Sequence, residues 1–123
     1  MEAPEHLEIA GEFARFFPRG HVSLQEAVAR VSHAIAYSRD RKIRRLLVNV
    51  TELTGFDPPS LSARYWLIQE WARESGGVVA VAMVARAEYI DPEKFGVVVA
   101  AVAGLRGDVF VSESEALGWL LSE

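Results

Sequence analysis

Apolar positions along this chain repeat with two different periods, and the switches between them mark out the elements. From Leu7 to Phe13 the residues alternate, with Leu7, Ile9 and Phe13 to one side and Glu8, Ala10 and Glu12 to the other. That is a strand period, and Gly11 interrupts it. A hairpin or bent edge pair is expected, its second strand running through Phe16 and Phe17 to the break at Pro18-Arg19-Gly20. Ser23-Leu24-Gln25-Glu26 then has the form of a capping box, in which a hydroxyl and a carboxylate satisfy the free amides of a helix start. Behind it Leu24, Ala27, Val28, Val31, Ala34 and Ile35 recur at helical spacing, so a first helix is predicted, ending in Arg39-Asp40-Arg41-Lys42.

Residues 46–50, "LLVNV", and 78–85 are short and almost continuously apolar, the pattern of central strands covered on both faces. Between them Leu61, Tyr65, Ile68 and Ala72 form the core stripe of a second helix, stopped by Gly76-Gly77. Asp91-Pro92 opens a third helix with Phe95, Val98, Val99 and Val102 on its core face; its β-branched residues would also suit a strand, but a helix better fills the interval before the strand at 109–111. Ser112-Glu113-Ser114-Glu115 repeats the capping box ahead of a terminal helix carrying Ala116, Leu117, Leu120 and Leu121. The order is ββαβαβαβα, so the fold class expected for residues 1–123 is a single α/β domain with a mostly parallel central sheet and helices on both faces. Sites in such sheets lie beyond the carboxyl ends of strands, here residues 51–60, 86–91 and 112–115.

Composition narrows the function classes. The chain has 123 residues, half of them apolar, enough for one core without staples. Its net charge of −4 gives no general attraction to nucleic acid or anionic lipid, so neither is an expected partner. Absence of cysteine removes disulfides, thiolate metal sites and thiol catalysis. The start "MEAPEHLE" lacks the basic and apolar regions of a signal peptide, and the longest apolar run, 96–105, is about half of the roughly 20 residues that span a bilayer. A cytoplasmic location without membrane insertion is expected.

The segments "GHVSLQEA" and "LLVNVTELTGFDPPSL", leading into the first and second helices, resemble the STAS domain of SpoIIAA-like anti-sigma-factor antagonists, and "RAEYIDPEKFGVVVA" and "DVFVSESEALGWL" look like bacterial SpoIIAA-like proteins. The resemblance covers nearly the whole chain and implies a STAS-type fold and a non-enzymatic protein-interaction module. In the antagonist branch a serine or threonine in an Asp-Ser-Ser/Thr-Gly-type motif at the start of the second helix is phosphorylated. Asp57 matches the aspartate of that motif, but the acceptor position falls on Pro58 or Pro59, with Ser60 and Ser62 as neighbours. The resemblance therefore implies a module without the usual phosphoserine switch.

The residues themselves give a plainer account of the same stretch. Asp57 reads as an N-cap, with Pro58 and Pro59 in the first helical positions, Ser60 offering its N–H, and Phe56 and Leu61 forming a hydrophobic staple; Ile90 and Phe95 repeat the staple around Asp91. A phosphate on Ser60 would gain from the helix dipole but meet the Asp57 charge and lack the amides that the prolines remove. No glycine-rich cradle opens a helix, and His6, His21 and His33 do not pair at ligand spacing, so no metal or cofactor is expected. Glu52 and Asp57 are only a loop carboxylate pair, which leaves a hydrolase as the third reading. Arg39, Arg41, Lys42, Arg44 and Arg45 read either as a solvated helix end or as a docking patch for an acidic partner or phosphate.

Surplus apolar surface is the most informative signal. Trp66 projects opposite the second helix's stripe, Leu67 and Trp71 widen its flank, and Val97, Ala100 and Ala101 give the third helix a second apolar face. A partner or self-association surface is expected there, with Asp57, Ser60, Ser62, Trp66, Arg86 and Tyr89 as partner-facing candidates. The alternative is a pocket for a small apolar or lipid-like ligand, walled by Phe56, Tyr65, Trp66, Trp71 and Tyr89.

Overall fold

In the computed structural model, which describes residues 1–123, the opening alternation becomes a hairpin of β1 (Leu7–Ala10) and β2 (Phe13–Phe16). Leu7 pairs with Phe16 and Ala10 with Phe13. Directly opposed residues share a face, so Leu7 and Ile9 lie on the side of Ala14 and Phe16 while Phe13 falls on the other. The expected grouping of Leu7, Ile9 and Phe13 fails because the turn at Gly11-Glu12 inverts the parity of the second strand. Next come β3 (Gly20–His21), α1 (Leu24–Asp40), β4 (Arg45–Asn49), β5 (Leu53–Thr54) and α2 (Leu61–Ser75). They are followed by β6 (Ala80–Val84), α3 (Phe95–Ala103), β7 (Gly107–Phe110) and α4 (Glu113–Leu121).

These elements build one α/β domain around a five-stranded mixed sheet ordered β1-β2-β4-β6-β7, antiparallel at the hairpin and parallel elsewhere. The expected order is present, with β3 and β5 as an added two-residue parallel pair. Alternation along β4 divides the core: Leu46 and Val48 meet α1, α2 and α3 on one face, and Leu47 meets α4 on the other. The larger cluster includes Phe16, Val31, Ile35, Trp71 and Val81; the smaller places Ala116 and Leu120 over Ala80, Ala82 and Val84. No helix is long and apolar enough to cross a membrane.

Three of the four helix starts follow hydroxyl chemistry. Ser23 Oγ accepts from the Glu26 amide at 3.1 Å, and Ser112 Oγ from the Glu115 amide at 3.2 Å while donating to the Glu115 carboxylate. The α2 cap differs from the expectation. Ser60, not Asp57, is the N-cap, its Oγ accepting from the Ala63 amide at 3.1 Å. A residue before proline is pushed out of the α region, so both Asp57 and Pro58 are held extended and the helix cannot begin until Pro59 has passed. Leu61 then stands 53% exposed, and no staple with Phe56 forms. Gly76 closes α2 in the left-handed conformation, φ 56°, where a side chain would be strained.

The inward face of α2 is also rotated from the expected stripe. Leu67, Ile68, Trp71, Ala72 and Ser75 turn toward the core, while Leu61 and Tyr65 face out. Trp71 is thus a core residue and not a flank. In α3 the expected core positions Val98 and Val102 are exposed, Val102 at 84%, and Val99 and Ala100 are buried. The helix starts at Phe95, later than Asp91-Pro92 suggests, because residues 91–94 first make a turn in which Lys94 adopts φ 51°. Asp91 still serves this start: its carboxylate accepts from the amides of Glu93 (3.2 Å) and Phe95 (3.0 Å).

Candidate functional site

Beyond the carboxyl ends of β4 and β6, two loops are stitched to each other and to the start of α2. Asn49 Oδ1 accepts from the Thr51 amide at 3.0 Å and from the Thr51 hydroxyl at 2.7 Å, turning the chain as it leaves β4. Val22 then donates to the Thr54 carbonyl at 2.8 Å, and Gly55, at φ 106°, passes so close to Val22 that a Cβ would run into the Val22 carbonyl. Only glycine fits there. From the other loop, Tyr89 donates its hydroxyl to the Phe56 carbonyl at 2.6 Å and meets the Phe56 ring edge-on at 5.7 Å. Arg86 donates to the Leu53 carbonyl at 3.2 Å with its guanidinium over the Tyr89 ring, and Arg64 of α2 donates to the Tyr89 carbonyl at 3.1 Å.

Behind these stitches lies a cavity of about 150 Å³ between the sheet and α1, α2 and α3. Its wall is mostly hydrocarbon, contributed by residues such as Val28, Val31, Ile68, Val81, Met83 and Leu105. Gly96 and Ala100 of α3 face it, so the space exists partly because α3 presents small residues toward α2. Charged residues gather around it in opposed signs: Arg64 and Lys94 with Asp91 and Asp108. Lys94 Nζ sits 2.8 Å from Asp108 Oδ1.

Among the five aromatic residues expected to wall a pocket, Phe56, Trp71 and Tyr89 do line this cavity. Tyr65 and Trp66 do not: they stand on the outer side of α2, packed edge-to-face on each other at 5.2 Å. The reason is the rotation of α2, whose inward arc is taken by Leu67, Ile68 and Trp71. Trp66 is 68% exposed, and Leu61 and Tyr65 beside it on α2, with Val98 and Val102 on the neighbouring α3, are also exposed. Asp57, Ser60 and Ser62 are exposed at the α2 start, whereas Arg86 and Tyr89 are half-buried and committed to the stitches above.

The remaining candidates lie apart. His6 and His33 are at the chain's beginning and on the outer side of α1, with His33 Nε2 donating to the Glu2 carbonyl at 2.9 Å; His21 Nδ1 lies 3.2 Å from the Thr54 hydroxyl. In the basic cluster, Arg39 pairs with Asp40 and Glu74, Arg41 covers the Tyr37 ring and Arg45 donates to the Glu123 carbonyl. Hydrogen bonds donated to Asp40 chiefly, and to Glu74, hold the Arg39 proton more tightly than usual.

One polar assembly went unanticipated. Arg15 of β2 forks onto the Glu113 carboxylate, with Nε at 3.0 Å and Nη2 at 2.7 Å, and Asn49 Nδ2 donates to the same carboxylate at 2.7 Å. The Arg15 bond chiefly, with help from Asn49 and against burial, holds the Glu113 carboxyl below its ordinary value and raises that of Arg15 in return. This clasp fixes the start of α4 to the sheet. Its signal in the sequence is Asn49, the lone polar residue in "LLVNV".

Comparison with known protein families, with curated proteins and with solved structures finds no match to this chain.

Proposed function

We propose that this chain is a cytoplasmic, STAS-like module of the SpoIIAA-like kind that acts by binding a protein partner or a second copy of itself, without catalysis. The observation that carries the reading is the exposure of Leu61, Tyr65 and Trp66 on α2 together with that of Val98 and Val102 on α3, the helix α2 packs against. Large aromatic side chains cost free energy when left in water, and exposed tryptophan and tyrosine are the residue types that dominate protein interfaces. The sequence resemblance supports the same reading, as does the hairpin followed by strand–helix units. Prolines at the acceptor position, and a Ser60 hydroxyl already engaged as a helix cap, favour a module that works without a phosphoserine switch.

The test is Trp66→Ala followed by sedimentation velocity over a range of concentrations and by retention of wild-type chain on an immobilised variant. Loss of a central interface tryptophan costs about 2 kcal/mol or more, so association should weaken at least roughly 30-fold. The melting temperature should stay unchanged, since the side chain packs on Tyr65 and not on the core. Unchanged sedimentation and retention would refute the proposal.

A further inference from the structure

The cavity under α1, α2 and α3 takes no part in the association proposed above, whose residues lie on the outer surface of α2 and α3. We infer that it is a binding site for a compact, uncharged apolar molecule about the size of an aromatic ring. Size is the first argument. Its volume is about 150 Å³, and apolar space of about that volume, lined by aliphatic and aromatic side chains, accommodates benzene. Met83 in the wall is unbranched and rotates to fit an irregular guest, while Trp71, Phe56 and Tyr89 offer ring faces and edges to an aromatic one.

Charge is the second argument, and it favours a neutral guest. The polar groups of the wall are already engaged: Trp71 Nε1 donates to the Val28 carbonyl at 3.2 Å, and the Tyr89 hydroxyl to the Phe56 carbonyl. No buried side-chain nitrogen or oxygen lacks a partner. The charges beside the cavity make contacts of their own. Lys94 is paired with Asp108, Asp91 receives two backbone amides, and Arg64 donates to the Tyr89 carbonyl. A carboxylate or phosphate head drawn to Lys94 would have to break the Lys94–Asp108 pair and leave Asp108 opposing it, whereas a neutral guest requires no such exchange.

The test is a methyl NMR titration of the full chain with benzene, with indole and with palmitate, following Ile68, Leu67 and Met83. Benzene and indole should shift these methyls saturably, and palmitate should not. Ala100→Leu, which projects into the space, should abolish the saturable shifts. Should that variant fail to fold, Gly96→Ala, whose Cβ would lie 3.7 Å from Ile68 Cγ1, should weaken binding several-fold. Trp66→Ala, on the outer surface, should leave the titration unchanged, which separates this site from the association surface. The inference is overturned if the neutral probes give no saturable shift, if palmitate saturates the methyls before benzene does, or if Trp66→Ala abolishes binding.

Discussion

Gly96→Ala should make this protein more stable. Gly96 lies in the first turn of α3 with no positive φ, and its missing Cβ would point at Ile68 across the cavity wall, 3.7 Å from Cγ1 and 3.8 Å from Cδ1. Those are ordinary contact distances, so alanine enters without moving a neighbour. Two contributions then add. Alanine is favoured over glycine by roughly 1 kcal/mol in a helix interior, and about half of that applies in a first turn. A fully buried methyl is worth about 0.8 kcal/mol, and about half of that applies to a half-buried position. The sum is about 1 kcal/mol, which for a chain of 123 residues raises the melting temperature by roughly 3–6 °C. Calorimetry and urea titration check it, the urea midpoint rising while the slope stays constant. A variant no more stable than the wild type would mean that α3 already closes on α2 at this point, and the reasoning about the cavity would fall with it.

Gly55→Ala should do the reverse, losing more than about 2 kcal/mol, because φ 106° and the Val22 backbone both exclude a Cβ; a urea midpoint close to the wild type would refute this. Ser60→Ala should cost about 1 kcal/mol as a lost cap, and Asp57→Ala less than about 0.5 kcal/mol. The opposite ranking would restore Asp57 as the cap. Glu113, whose folded carboxyl lies below its ordinary value of 4.5, stabilises the fold above that value and loses this contribution as pH falls through the folded one. Glu113→Gln should therefore cost about 1 kcal/mol at pH 7, and urea midpoints of variant and wild type should converge as pH falls toward 3; parallel profiles would contradict the clasp.

Element order was legible because it rests on the strongest local signals. Two apolar runs too short for helices, two serine-led helix starts at Ser23 and Ser112, and Gly76 after α2 each act within a few residues. Orientation about the helix axis was less legible. α2 carries Leu61, Tyr65, Trp66, Leu67, Ile68 and Trp71 on more than half its circumference, so periodicity alone offered two faces, and packing against α1 and α3 decided between them. α3 was harder still, since an almost wholly apolar helix has no polar side to point outward. The Asp57 cap failed on a competition between local rules, in which proline's hold on the preceding residue outweighed the carboxylate's suitability as a cap. Of the site, Phe56, Trp71 and Tyr89 could be gathered from the sequence because aromatic side chains suit the wall of an apolar pocket. The cavity could not, because it depends on what Gly96 and Ala100 omit, at a distance across the sheet that no local pattern encodes.

The succession β2-β4-β6-β7 carries a consequence for how the molecule is assembled. Every parallel strand lies beside the one before it in this succession, across the connecting helix, so each unit adds to an edge laid down by the unit before it. Helix α4 is the exception, since it lies across β4, β6 and β7 together. The face it covers can be sealed only after β7 has docked, and until then Leu47, Ala80, Ala82 and Val84 form an open apolar surface on one side of a finished edge. Pulse-labelled hydrogen exchange should find protection in β4 and β6 appearing ahead of protection in α4. The clasp of Arg15, Asn49 and Glu113 spans that same seam, joining a strand from the beginning of the sheet to the helix that covers its far face.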